Sequence, residues 1–111
     1  MNTIMEATRE IPVAAQYDVI VCGGGPAGIA AALSAARNGA KTCIIEQHGC
    51  LGGIWTAGAL SYILDGKNKS GILTEILDEL RSRGASQGFV WDVETTKLVL
   101  DDLCIRANVD I

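Results

Sequence analysis

The chain has few basic residues. Lys and Arg together number 9 against 13 Asp and Glu, so the formal net charge is −4 at pH 7. A surface of this sign offers little to hold the phosphates of a nucleic acid or of an anionic bilayer. We therefore predict that neither nucleic acid nor a membrane surface is a partner. The length of 111 residues allows one domain of ordinary size and is too short for two.

Histidine and paired cysteines are also scarce. His48 is the single histidine, and the cysteines at positions 22, 43, 50 and 104 form no Cys-x-x-Cys pair. Zinc and iron–sulfur sites need several such ligands at short spacing, and small secreted scaffolds need paired cysteines. We therefore predict no metal site in this chain, and reduced thiols in a cytoplasmic protein.

Signals for export or membrane insertion are missing as well. Residues 1–16 contain Glu6, Arg9 and Glu10, where a secretory signal needs an unbroken apolar stretch. The uncharged run over 19–36 contains three consecutive glycines and a proline, so it predicts a strand, a turn and a helix rather than a membrane span. We interpret residues 1–16 as an N-terminal extension.

Glycine, by contrast, is abundant, with 13 in the chain and nine of them between positions 23 and 58. Residues 17–22, just before this cluster, are an apolar β-branched run typical of a strand buried on both faces of a parallel sheet. Residues 26–37 contain six alanines, begin with proline and end before an Asn-Gly pair, which predicts a helix. A second strand is predicted over 41–45. The fold class that follows is α/β, a Rossmann-like parallel sheet with covering helices.

A dinucleotide fingerprint lies inside this βαβ unit. Gly23, Gly25 and Gly28 satisfy G-x-G-x-x-G between the first strand and the helix, where the helix N-terminus can hold a pyrophosphate. Glu46 follows Gly28 by 18 residues, at the end of the second strand, where a carboxylate can accept hydrogen bonds from ribose hydroxyls. The alternative is that these glycines only form a tight turn. The unit favours an adenine dinucleotide without a 2′-phosphate, which Glu46 would repel, and leaves FAD and NAD both open.

Residues 17–58 resemble the start of FAD-dependent oxidoreductases, with Gly-Gly-Gly-Pro-Ala-Gly at 23–28 and Leu-Gly-Gly at 51–53. The similarity continues more loosely through 69–72 and 91–94. This family includes relatives of heterodisulfide reductase flavin subunits, some of which carry iron–sulfur clusters. The resemblance therefore allows an iron–sulfur cluster only in the missing part of the enzyme, because none of that cluster chemistry is visible in these residues.

The resemblance implies that FAD is the cofactor. It places the pyrophosphate on the glycine fingerprint, the adenosine ribose on Glu46, and the second glycine pair beside the pyrophosphate and ribityl chain, with Thr56 as a neighbour. The expected cofactor-binding residues are Gly23, Gly24, Gly25, Pro26, Ala27, Gly28, Glu46, Gly52, Gly53 and Thr56.

Members of this family are several times longer than this chain, which stops at residues 108–111 as a further strand begins. We therefore expect residues 17–111 to be a partial, truncated FAD-binding domain, incomplete at its C-terminus. The expected function is the amino-terminal, ADP-binding part of a flavoenzyme that is inactive in this piece alone. The alternatives are a stand-alone NAD- or ADP-binding module without redox chemistry and a non-functional truncated remnant. Nothing in the sequence indicates the catalytic residues, the small-molecule substrate, the electron acceptor or the oligomeric state.

The rest of the chain predicts supporting structure. Helices are expected over 71–83 and 92–107, the latter with Asp92 as N-cap, and a short strand over 59–64. Both tryptophans are expected to be packing residues.

For the single histidine and three of the cysteines, a functional and a structural interpretation compete. His48 is expected to be an exposed loop residue rather than an acid–base group. Cys50 lies two residues before Gly52, where a reactive thiol would be close to the cofactor, but it lacks the second cysteine that a disulfide reductase needs. Cys22 and Cys43 lie in the predicted strands and are expected to be small buried residues.

Overall fold

The computed structural model describes all 111 residues of the chain. Three helices, four short strands and one 3₁₀ turn follow one another in the order β1 (Val19–Cys22), α1 (Pro26–Arg37), β2 (Thr42–Ile45), the 3₁₀ turn (Gly53–Trp55), α2 (Ile72–Ser82), β3 (Ser86–Gln87), β4 (Val90–Trp91) and α3 (Val93–Arg106).

The main sheet is parallel. β1 and β2 pair with Cys22 opposite Ile45. On the other side of β2, Asp110 forms a parallel bridge with Cys43 and donates its N–H to the carbonyl of Thr42 at 3.0 Å. Two adjacent parallel strands joined through a helix form a βαβ unit, so the predicted Rossmann-like α/β class is confirmed.

The core lies on one face of this sheet. α1 packs against both strands, and α2 and α3 pack against α1 and against each other. The buried apolar side chains form one continuous cluster, which consists of Ile29, Ala32, Leu33, Ile44, Leu51, Ile76, Leu77, Leu80, Trp91, Val99, Leu100, Leu103, Cys104 and Val109.

The opposite face of the sheet is bare. Ile20 and Ile45 are 52% and 57% exposed on it. Cys22 is exposed and Cys43 is half-buried. The prediction that β1 is buried on both faces, with Cys22 and Cys43 inside, is therefore wrong. The pattern of β-branched residues is the same for a strand covered on one face or two, and all three helices of this chain lie on the same side.

The three helices agree with the sequence prediction. α1 has the predicted bounds, and α2 and α3 are each one residue shorter at either end than predicted. Asp92 is the N-cap of α3, as expected, and its side chain accepts a hydrogen bond from the N–H of Thr95 at 2.7 Å.

The segment between the 3₁₀ turn and α3 differs from the prediction. The strand expected over 59–64 is reduced to an isolated antiparallel bridge between Tyr62 and Val90. The hairpin of β3 and β4 is not predicted, because strands of two residues are too short to show a periodicity. Trp55 and Trp91 pack edge to face with ring centroids 5.4 Å apart, which confirms them as packing residues.

Residues 1–16 contain no helix or strand, and all of them are exposed. The division of the chain at residue 17 stays a prediction. None of the helices has the length and apolar content needed to cross a membrane.

Candidate nucleotide-binding site

The glycine loop, residues 23–28, connects β1 directly to α1. Gly23 has φ +103°, a conformation that favours glycine, and its N–H donates to the carbonyl of Ile45 at 2.8 Å. Gly25 is the N-cap of α1 and Pro26 takes the first helical position, where the missing proline N–H costs no helical hydrogen bond. The loop therefore brings the N-terminus of α1 to the carboxyl end of the parallel strands, where ligands bind in open α/β sheets.

The N-terminus of α1 has free hydrogen-bond donors. No side chain caps this helix, and its first turn contains no acidic residue. The N–H groups of Gly25, Ala27 and Gly28 donate to no other group of the chain. These amides lie at the positive end of the helix dipole, so they can hold a phosphate group.

The glycines of the loop are required for different reasons. A Cβ atom on Gly28 would lie 1.9 Å from the carbonyl oxygen of Gly23, and one on Gly24 would lie 2.5 Å from the side chain of Leu51. Packing alone explains both. Gly25 has φ −72°, and nothing lies within 4 Å of the position of its Cβ. Neither the backbone nor the packing requires glycine at position 25, and the open space there leaves the free amides accessible.

Glu46 follows β2 and lies against the glycine loop. Its Oε1 accepts the N–H of His48 at 2.8 Å, and its Oε2 accepts the N–H of Gly24 at 2.7 Å. The bonds from His48 and Gly24, in that order, hold the pKa of the Glu46 carboxyl below its usual range. The group is therefore an ionised acceptor near neutral pH, at the position where the sequence predicts the ribose-binding acid.

A second glycine segment, residues 51–53, packs against the loop. The N–H of Gly52 donates to the carbonyl of Gly24 at 2.7 Å. Both Gly52 and Gly53 have positive φ, +104° and +54°. A Cβ on Gly53 would be 3.0 Å from the Cα of Gly25. The structure therefore brings the two predicted glycine groups into contact at one end of the sheet.

Thr56 is a buried residue that binds the backbone of this segment. It is 3% exposed, and its hydroxyl donates to the carbonyl of Leu51. The Cys50 thiol donates in turn to the Thr56 hydroxyl at 3.8 Å. All four cysteines of the chain are free. Thr56 thus holds the backbone of the second glycine segment, and its hydroxyl is turned away from solvent.

Two open cavities adjoin Glu46. The first has a volume of about 480 Å³ and is lined by Glu46, His48, Gly49, Cys50, Leu51, Asp101, Ile105 and Ile111. The second has a volume of about 470 Å³ and is lined by Cys22, Gly23, Ile45, Glu46, Gln47 and His48. Both are large enough to take part of a dinucleotide, and the acid predicted to bind ribose stands between them.

The sequence analysis missed the contribution of α3 to the first cavity. Asp101 and Ile105 line it from the last helix, and burial raises the pKa of the Asp101 carboxyl. No motif contains these residues, and only the tertiary packing of α3 brings them there. His48 is exposed, as expected, and takes part through its backbone N–H. No three His, Cys, Asp or Glu side chains come close enough together to hold a metal ion.

The family model described as FAD dependent oxidoreductase matches residues 18–111. A dihydrolipoyl dehydrogenase of Trypanosoma brucei brucei is 51% identical over 45 residues, which are 40% of this chain and 9% of that protein. A thiamine thiazole synthase of Aeropyrum pernix is 44% identical over 64 residues, which are 57% of this chain and 23% of that protein.

A solved structure, that of Thermovibrio ammonificans THI4, superposes with a TM-score of 0.56 at 24% sequence identity. The superposition covers 85% of this chain and 37% of THI4, and it supports the fold class alone. The chain thus spans well under half the length of the relatives that it matches.

Proposed function

The chain belongs to the FAD-dependent oxidoreductase family, and from this premise we propose that its glycine loop, Glu46 and second glycine segment hold the ADP half of FAD. Membership of the family implies FAD as the cofactor. We propose in addition that these 111 residues alone bind the cofactor without catalysing a reaction.

The observation that carries the proposal is the open approach at Gly25. Three backbone N–H groups at the N-terminus of α1 have no partner in the chain. Gly25 beside them has an ordinary φ and empty space where a Cβ would lie. Glycine at this position is explained by a group that approaches the backbone closely, and the free amides give that group the chemistry of a phosphate.

Each part of the site has a separate task in this proposal. The N–H groups of Gly25, Ala27 and Gly28 bind the pyrophosphate, and the ionised Glu46 accepts hydrogen bonds from the ribose hydroxyls. Gly52 and Gly53 leave room for the chain between pyrophosphate and flavin. When bound, FAD supplies a ring that accepts and returns a hydride or an electron pair. That ring lies beyond the ADP half, so the residues of this site bind and orient without reacting.

The test is the G25A variant of the 111-residue chain, titrated with ADP by calorimetry. The added methyl group enters open space in the protein, and the less favourable N-cap is offset by the smaller conformational freedom of the unfolded chain. The melting temperature should therefore change little, but the methyl group blocks the approach of a phosphate. We expect ADP to bind at least about tenfold more weakly, the equivalent of one lost hydrogen bond to a charged group. The S34A variant, on the exposed side of the same helix, should bind ADP as the parent chain does.

Equal affinity of the parent chain and G25A for ADP would contradict the proposal. Titrations with FAD and NAD⁺ extend the experiment, because both contain the ADP half. Tighter binding of FAD than of NAD⁺ supports the flavoprotein function, and the reverse order favours a module that binds NAD or ADP.

A further inference from the structure

We propose that Glu46 is also a positioning residue, which holds the glycine loop in its binding conformation before any nucleotide arrives. The inference rests on the proposed function, since it concerns the same site. It adds a second task to the carboxylate, which is independent of the ribose contact.

The hydrogen bonds of Gly24 carry the argument. Its N–H donates to Oε2 of Glu46 at 2.7 Å. Its carbonyl accepts the N–H of Gly52, also at 2.7 Å. Gly24 is therefore held from both sides, and it directly precedes Gly25, the N-cap beside the free amides. A shift of the Gly24 peptide would change the direction of those amides.

The packing around Gly24 also supports a role of Glu46 in holding the glycine loop. A Cβ on Gly24 would lie 2.5 Å from Leu51 and 3.2 Å from Oε2 of Glu46. The carboxylate is thus in close contact with the loop backbone, and the second oxygen is fixed by the N–H of His48. Each carboxylate oxygen has two lone pairs, so both oxygens can still accept a ribose hydroxyl.

A carboxylate is needed for this arrangement. Glutamine has the same shape, but it offers one acceptor oxygen and one NH₂ donor. It cannot accept the N–H groups of both Gly24 and His48. E46Q therefore removes one of the two backbone contacts while it keeps a side chain that can bond to a ribose hydroxyl.

The test compares two nucleotides, ADP and 2′,3′-dideoxy-ADP, which lacks the ribose hydroxyls. If Glu46 acted on ribose alone, E46Q would weaken the binding of ADP and leave the binding of 2′,3′-dideoxy-ADP unchanged. Removal of a negative charge near the phosphates would by itself strengthen the binding of both nucleotides. We expect instead that E46Q binds 2′,3′-dideoxy-ADP about tenfold more weakly than the parent chain does.

The control is E10Q, which removes the same charge from the exposed residues 1–16 and should leave both affinities unchanged. If E46Q does not fold, the same comparison is made with E46D, whose side chain is one methylene shorter and withdraws from Gly24. Binding of 2′,3′-dideoxy-ADP by the folded variant that equals or exceeds that of the parent chain overturns the inference.

Amide hydrogen exchange of the nucleotide-free chain gives a second readout. The N–H of Gly24 should exchange about tenfold faster in E46A, which removes both acceptor oxygens, while the amides inside α1 keep their rates. Equal exchange at Gly24 in both chains would also overturn the inference. Failure of the parent chain to bind ADP would overturn the proposed function instead, so the two failures are distinguishable.

Discussion

The cysteines differ sharply in their surroundings. Cys22 is exposed on the bare face of the sheet, whereas Cys104 is completely buried in α3. Burial, with a smaller contribution from Asp101, raises the pKa of the Cys104 thiol to about 11. Because the thiolate is the reactive form, Cys104 should be inert toward thiol reagents near neutral pH.

The expected result is that Cys22 accounts for the fastest phase of labelling of the native chain with a disulfide reagent at pH 8. The C22S variant should lose this phase. The matched C104A variant should keep the native labelling pattern and lose one thiol only after unfolding in urea. A native phase that disappears in C104A would show that α3 opens on the timescale of the reaction.

At single positions, the sequence predicts what a local motif requires. The placement of Gly25, Gly28 and Glu46 at one end of the sheet could be predicted because their order along the chain follows from the βαβ unit. The roles of Leu51 and Asp101 could not be found in this way, because Leu51 excludes a side chain at Gly24 and Asp101 lines a cavity only through tertiary packing. The exposure of Cys22 was missed for the same reason.

Among the elements, α3 owes its start to a single residue. Oδ2 of Asp92 accepts both the N–H and the hydroxyl of Thr95 at 2.7 Å. These bonds, the hydroxyl first, lower the pKa of Asp92. The stability that this cap contributes is therefore present above the unfolded-state pKa of about 4, and it is lost as the pH falls through the lower folded-state pKa.

D92A should lower the melting temperature by about 5 °C, because an N-cap is lost, whereas D92N should stay close to the parent chain. Thermal melts followed by circular dichroism at pH 7 measure both. Repeating the melts at decreasing pH separates the contribution of the cap's hydrogen bonds from the contribution of its ionised carboxylate, since the asparagine side chain does not titrate. Equal melting temperatures for the parent chain and D92A at pH 7 would contradict the assignment of the cap.

Elements with their own start and stop signals could be predicted closely. α1 has its predicted bounds because proline opens it and an Asn-Gly pair follows it. The β3–β4 hairpin is a local pairing of two very short strands, and the bridge at Tyr62 pairs this residue with Val90, which is distant in the chain. Such pairing leaves no local pattern when a strand has only two residues, so the sequence could not show it.

The whole molecule exposes more surface than its mass predicts. Its accessible surface is 7507 Å², whereas a compact monomer of this mass exposes about 5,800 Å². Its radius of gyration is 16.9 Å, against about 13 Å for a compact chain of this length. Two features account for the excess: the bare face of the sheet and residues 1–16, which extend from the rest of the chain without a helix or strand.

Deletion of residues 1–16 should therefore change the dimensions of the chain without changing its site. All residues proposed to bind the nucleotide lie between positions 23 and 56, and every residue of the deleted segment is exposed. We expect the radius of gyration from small-angle X-ray scattering to fall toward about 13 Å, with unchanged ADP affinity and melting temperature. I11S, at a position 71% exposed, is the control that keeps the length and should change none of the three values. A lower melting temperature in the shortened chain or in I11S would mean that the segment packs against the folded part in solution, and the bare face of the sheet would then be the first surface to examine for that contact.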